Sequence, residues 1–212
     1  MAFYIDAGKN GSSGEIAYLL KKCILHCPKR WTEIVFLCIG SDRVTGDCLG
    51  PYIGHLLTPH ETGHIFVYGT LSSPVHALNL EKISSLIKKF HPHALVIAID
   101  ASLGQKKHLG YVTIGNGALY PGAGVQKNLP PVGDIHITGI VNTAGLMEHL
   151  TLQTDYTALY RGRSGRCDCR RNPEDPPCRS RLICIRSTQR TFAFRSAACS
   201  CIKSFHNFMQ SL

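Results

Sequence analysis

The chain has 212 residues, 44% hydrophobic and 17% charged, a globular composition that excludes a disordered polymer and suffices for one substantial core. No apolar run approaches the roughly 18–20 residues of a membrane-spanning helix, and Met1 to Lys9 lack the basic-then-apolar layout of an export signal, so a cytoplasmic chain is expected. The formal charge of +9 is uneven: residues 1–160 carry 12 Lys+Arg and 11 Asp+Glu, whereas residues 161–212 carry 11 and 3.

In chain order, GEIAYLLKKCILHC at 14–27 sets Ile16, Leu19, Leu20, Cys23 and Leu25 near one face of a helix that Pro28 ends. The run EIVFLCIG at 33–40 reads as a strand buried on both faces. A helix is predicted to open at Cys48 and run through Leu57, with Asp47 as its N-cap and Pro51 near the first turn. HIFVYGT at 64–70 is a second strand. Asn79 to Phe90 form a helix with Leu80, Ile83, Leu86, Ile87 and Phe90 on one stripe. HALVIAID at 93–100 is a third buried strand, closed by Asp100. Strands at 110–114 and 135–141 follow, the second leading into a helix through Leu146, Met147 and Leu150. Between them, residues 115–133 form a long loop rich in Gly and Pro. Apolar runs alternating with amphipathic helices predict an α/β fold with a mainly parallel sheet covered on both sides.

The tail differs in kind. Residues 161–181 read RGRSGRCDCRRNPEDPPCRSR, and 161–212 hold ten Arg against one Lys, with six of the ten Cys. A basic nucleic-acid arm is one reading. Zinc ligation by Cys167/Cys169 and Cys199/Cys201 is another, although structural zinc pairs are usually spaced two to four apart. A disulfide framework fits poorly with a chain that lacks an export signal. The adopted reading is an out-of-frame stretch. Synonymous codons for Tyr160 to Pro176 permit an Ala-rich amphipathic helix in the next frame, which accounts for the Arg, Cys, Ser and Pro excess together. The positive charge is therefore not used to infer partners, and no nucleic acid or membrane is expected among them.

In open α/β sheets, ligands bind beyond the carboxyl ends of strands. Asp100 stands at such an end, and Asp47 follows the EIVFLCIG run by seven residues. If those strands are neighbours, the two carboxyls converge and share protons unequally, one fit to be a base for water and the other an acid. Against this stand a capping role for Asp47 and a turn-capping role for Asp42 in the Gly40–Gly46 loop. Cys48 with His136 or His76 is a weaker pairing, and Asp47, Asp100 and His136 would make a two-carboxylate, one-His metal set. Gly115-Asn116-Gly117 with Pro121-Gly122-Ala123-Gly124 matches neither a dinucleotide fingerprint nor a P-loop.

Gly46-Asp47-Cys48-Leu49-Gly50-Pro51, the strand ending in Asp100-Ala101, Tyr120 to Val125 and the run Leu129 to Asn142 together resemble the sporulation protein YyaC family. That family is similar to the germination protease that degrades small acid-soluble spore proteins, and in outline to hydrogenase-maturation endopeptidases. The resemblance implies a three-layer αβα, phosphorylase/hydrolase-like fold and a peptidase-like hydrolase of the spore-forming cell or forespore. It implies that Asp47 and Asp100 are the catalytic pair acting on a protein or peptide substrate. Asp42, His136 and Asn142 are expected to bind substrate. No cofactor is expected, although the maturation enzymes, which bind metal, leave room for a divalent ion. Residues 1–160 are thus expected to form an α/β peptidase-like domain, and 161–212 an Arg/Cys-rich tail, disordered or out-of-frame.

Overall fold

The computed structural model describes residues 2–41, 43, 46–122 and 129–143. Strand β1 (Ala2–Asp6) alternates, with Ile5 buried and Tyr4 57% exposed. The sequence reading missed it, having taken these residues only as a start without an export signal. Helix α1 (Ser12–Leu25) buries Ile16, Leu19, Leu20, Cys23 and Ile24. Leu25, predicted on that face, is instead 63% exposed. It lies nine residues past Ile16, half a turn away on a 3.6-residue helix, and Ile24 takes its place.

Strand β2 (Glu33–Cys38) is followed by helix α2 (Leu49–Leu57), strand β3 (Ile65–Tyr68), helix α3 (Leu80–Phe90) and strand β4 (Ala94–Gly104). Strands β5 (Tyr111–Asn116) and β6 (Ile135–Thr143) complete a six-stranded sheet in the order β1-β5-β6-β4-β2-β3. The sheet is mixed. β2 pairs in parallel with β3 and β4, and β4 with β6, while β5 lies antiparallel to both β6 and β1. The sequence reading of a mainly parallel sheet did not anticipate this reversal. Its cause is the short connection between β4 and β5, which cannot hold the crossover that a parallel partner needs.

Two apolar clusters share the sheet. Ile34, Phe36 and Cys38 of β2 join α1 residues such as Ile16 and Leu20, and Leu57 of α2, in one. Val35 and Leu37 join Leu80 and Ile87 of α3 in the other. β2 is therefore buried on both faces, which is why it reads as an unbroken apolar run rather than an alternating one. The 115–133 loop is pinned by an antiparallel bridge between Leu119 and Val132. The helix predicted through Leu146, Met147 and Leu150, and the whole Arg/Cys-rich tail, lie outside the described residues.

Candidate active site

The chain leaves β2 toward β3 on one side, whereas β4 is followed in the sheet by β6 on the other. The carboxyl ends of β2 and β4 therefore flank the point where strand order reverses, the usual ligand crevice of such sheets. The adjacency that the two-carboxyl reading requires is present, since β2 and β4 pair from Glu33↔Ala94 to Cys38↔Ile99. One detail differs from the sequence reading. β4 does not end at Asp100 but continues to Gly104, because β6 runs on beside it from Asp100↔Thr138 to Gly104↔Thr143. Asp100 is thus the first β4 residue beyond the end of β2, and the crevice arises from the neighbour stopping short.

Backbone bonds fix the walls. The Ile39 amide donates to the Ile99 carbonyl at 2.7 Å, and the Gly40 amide to the Val75 carbonyl at 2.8 Å. The end of β2 is thus held between β4 and the segment that leads to α3. The Ser41 amide donates to the Asp47 carbonyl at 3.1 Å, closing the intervening loop. Glycines permit the tight fit. Gly40 has φ +143°, and a Cβ there would strike the Asp47 carbonyl oxygen. Gly50, in the first turn of α2, lies directly on the Ile39 backbone, where a side chain would overlap the Ile39 carbonyl.

Asp47 does not cap α2. The N-cap is Cys48, without a side-chain capping bond, and Asp47 precedes it. Its carboxyl is pushed above the ordinary range by burial, while the Ser41 amide and the charge of His76 pull it back down. Asp100 is 8% exposed. Burial first, and then the negative field of Asp47, push its carboxyl up to about 7, against a 2.8 Å hydrogen bond from the Ala101 amide. Each cause has a direction: burial and a like charge disfavour the ionised form, and donors favour it. Burial thus pushes both carboxyls up, and Asp100, the more deeply buried and set against the charge of Asp47, is pushed the further.

Two of the other predicted residues stand on β6. His136 pairs with Ala98 and Gly115, two residues before the Thr138 that lies beside Asp100. Its Nδ1–H donates to the Gly117 carbonyl at 3.1 Å. Asn142 pairs with Leu103 beyond a register shift after Ser102, farther along the same strand. Asp42 lies outside the described residues. His76, considered in the sequence only as a partner for Cys48, follows Val75, whose backbone bridges Ile39 just past the end of β2. Its one sequence signal is its place in the loop leaving the carboxyl end of β3. Among the described residues no three His, Cys, Asp or Glu side chains gather as a metal-binding set. Asp47, Asp100 and His136 are thus not gathered into one metal-binding set.

With this geometry in place, relatives identify the family. The model of the family described as "Protein of unknown function (DUF1256)" matches residues 7–159. The chain belongs to that family. Among curated proteins, "Uncharacterized protein YyaC" of Bacillus subtilis (strain 168) is 54% identical over 120 residues, 57% of this chain and 58% of that protein. The match thus spans less than two thirds of the relative's length, and the resemblance to the YyaC family holds. The family match includes Asp47, His76, Asp100, His136 and Asn142, whereas residues 160–212 lie beyond it. Among the described residues no helix is long and apolar enough to cross a membrane.

Proposed function

We propose that this chain is a sporulation-associated, peptidase-like hydrolase in which Asp47 and Asp100 activate water against a peptide bond. The observation that carries the reading is the buried carboxyl pair at the strand-order reversal, both members pushed up by burial and Asp100 further by the charge of Asp47. Ionised Asp47 takes a proton from water as the water oxygen bonds to the carbonyl carbon. Protonated Asp100 gives its proton to the amide nitrogen as the C–N bond breaks, releasing a carboxylic acid and an amine. The pair holds one proton before and after, so turnover requires only its return from Asp47 to Asp100. The resemblance to the germination protease, with its three-layer αβα arrangement, supports a protein or peptide substrate and action within the spore-forming cell or forespore.

The test uses the full chain with a peptide library drawn from spore proteins, cleavage being read by mass spectrometry. Asp47→Asn and Asp100→Asn are each expected to lower cleavage by about 100-fold or more, with circular dichroism unchanged. Cleavage that survives in either variant removes the mechanism. A folded wild-type chain that leaves every peptide uncut from pH 5 to 8 replaces it with a non-catalytic binding module on the same fold.

A further inference from the structure

We propose that an extended peptide docks as an added strand along the open edge of β4, from Ala101 to Gly104, in the track that β2 leaves. The proposal rests on the hydrolase reading given above and says how its substrate is held: unfolded, by main-chain hydrogen bonds, beside Asp100.

The edge follows from the register. β2 pairs with β4 as far as Cys38↔Ile99, and the Ile39 amide then donates to the Ile99 carbonyl. At Gly40 the chain turns off toward Val75, whose carbonyl accepts the Gly40 amide. β4 continues through Gly104 with β6 on one side. Successive residues of a strand turn their main-chain groups to opposite neighbours. Ile99 faces β2, so Ala101 and Leu103 face the same way, while Asp100, Ser102 and Gly104 face β6. The register shift after Ser102 leaves this alternation intact, because the residue skipped in the pairing is Val141, on β6.

The Ala101 amide is given to Asp100 Oδ1 at 2.8 Å, which leaves the Ala101 carbonyl and both the amide and the carbonyl of Leu103 along this edge. Among the described residues nothing takes these three groups. Residues 101–104 are half-buried, and main-chain groups withdrawn from water are rarely left without a partner. The outer edge at β3 shows how this sheet closes an edge. There the Val67 amide donates to Glu61 Oε1 at 2.9 Å, and Ile65 exchanges backbone bonds with Thr62 at 3.1 and 3.2 Å. The Ala101–Gly104 edge carries no Lys, Glu or Pro to guard it, and it lies inside the sheet next to a buried carboxyl rather than at the rim. An extended peptide fits these groups, because its own amides and carbonyls alternate at strand spacing. A helical segment does not, since its main chain is already bonded internally. The edge spans about 10 Å, room for about three or four residues, and the peptide residue at its inner end lies beside Asp100.

The test reads binding rather than cleavage. The full chain carrying Asp100→Asn, whose Asn Oδ1 can still accept the Ala101 amide, is mixed with the spore-protein peptides, and amide hydrogen exchange is followed by NMR. The Leu103 amide is expected to exchange fast in the chain alone and about tenfold or more slowly once a peptide is bound. For a peptide that binds, each residue is then N-methylated in turn, a change that cannot disturb the fold of the protein. Methylation of the residue that meets the Ala101 carbonyl should weaken binding by about tenfold, whereas methylation of the residue on either side should be tolerated. A Leu103 amide already protected in the chain alone would mean that the chain's own residues occupy the edge, and it overturns the proposal. So do a bound peptide that leaves Leu103 exchange unchanged, equal tolerance of N-methylation at every position, and a library from which no peptide binds. The two readings fail separately. Peptides that protect Leu103 yet are never cut by the wild type support the docking edge and remove the hydrolase, whereas peptides that are cut without protecting Leu103 remove only the docking edge.

Discussion

The two ends of the sheet treat carboxylates in opposite ways. Near the amino ends of the strands, Asp134 Oδ2 accepts the Lys29 ammonium at 2.8 Å and the Val96 amide at 2.9 Å. Glu33 accepts His91 Nδ1–H at 3.1 Å, and the Tyr68 hydroxyl donates to His91 Nε2 at 3.0 Å, so that carboxylate ends a chain of matched donors. At the carboxyl ends, Asp100 has one amide donor and faces a second carboxyl. A charge supplied with cations and amides is satisfied and holds the structure together. A charge set against its like in a buried crevice relaxes by keeping a proton, and a retained proton is what an acid catalyst needs.

The largest effect expected from this contrast is a gain of stability. Asp100 binds its proton more tightly folded, near 7, than unfolded, near 3.8. Its contribution is therefore fully present below about pH 4 and is lost as pH rises through about 7. Asp100→Asn removes that loss, so urea denaturation at pH 8 should show a variant more stable than wild type by up to about 4 kcal/mol. The difference should shrink by pH 4. A variant less stable at pH 8 would mean that Asp100 is a satisfied charge like Asp134, and the contrast would collapse.

A second test separates the crevice from the carboxyls. Gly50→Ala places a methyl group against the Ile39 backbone, which cannot move without displacing β2. It should cost about 3 kcal/mol in the same denaturation assay while leaving both carboxyls present. A neutral Gly50→Ala would show that α2 does not need its close approach.

Much of the crevice was legible in the sequence because its parts are local. An apolar run followed by a loop with Asp47, and another run meeting Asp100, mark strand ends by composition alone. That β2 and β4 are neighbours is not written in either run, since hydrophobic period gives strands but not their order. The extension of β4 to Gly104 was hidden for a related reason: Ala101 to Gly104 are not a buried apolar run, and they stay extended because β6 continues beside them. The reversal of β5 was readable in principle from the short connection before it. His76 was not, because its position depends on Val75 bridging to Ile39, 36 residues earlier. The capping role offered for Asp47 failed by one residue, as helix boundaries read from sequence often do.

The smallest effects test the other end of the sheet, where two partners of one carboxylate can be weighed separately. The Lys29 and Asp134 side chains are 38% and 28% exposed, so solvent screens their attraction, and Lys29→Ala should cost less than about 1 kcal/mol. Asp134→Ala removes the acceptor of the half-buried Val96 amide as well, and an amide left without its partner costs about 2 kcal/mol. Denaturation in low salt and in 1 M salt distinguishes the contributions, since salt should abolish the Lys29→Ala loss and leave most of the Asp134→Ala loss. Equal losses for the two variants would make Asp134 an ion-pair partner first. The contrast between the two ends of the sheet would then rest on Glu33 and its histidine.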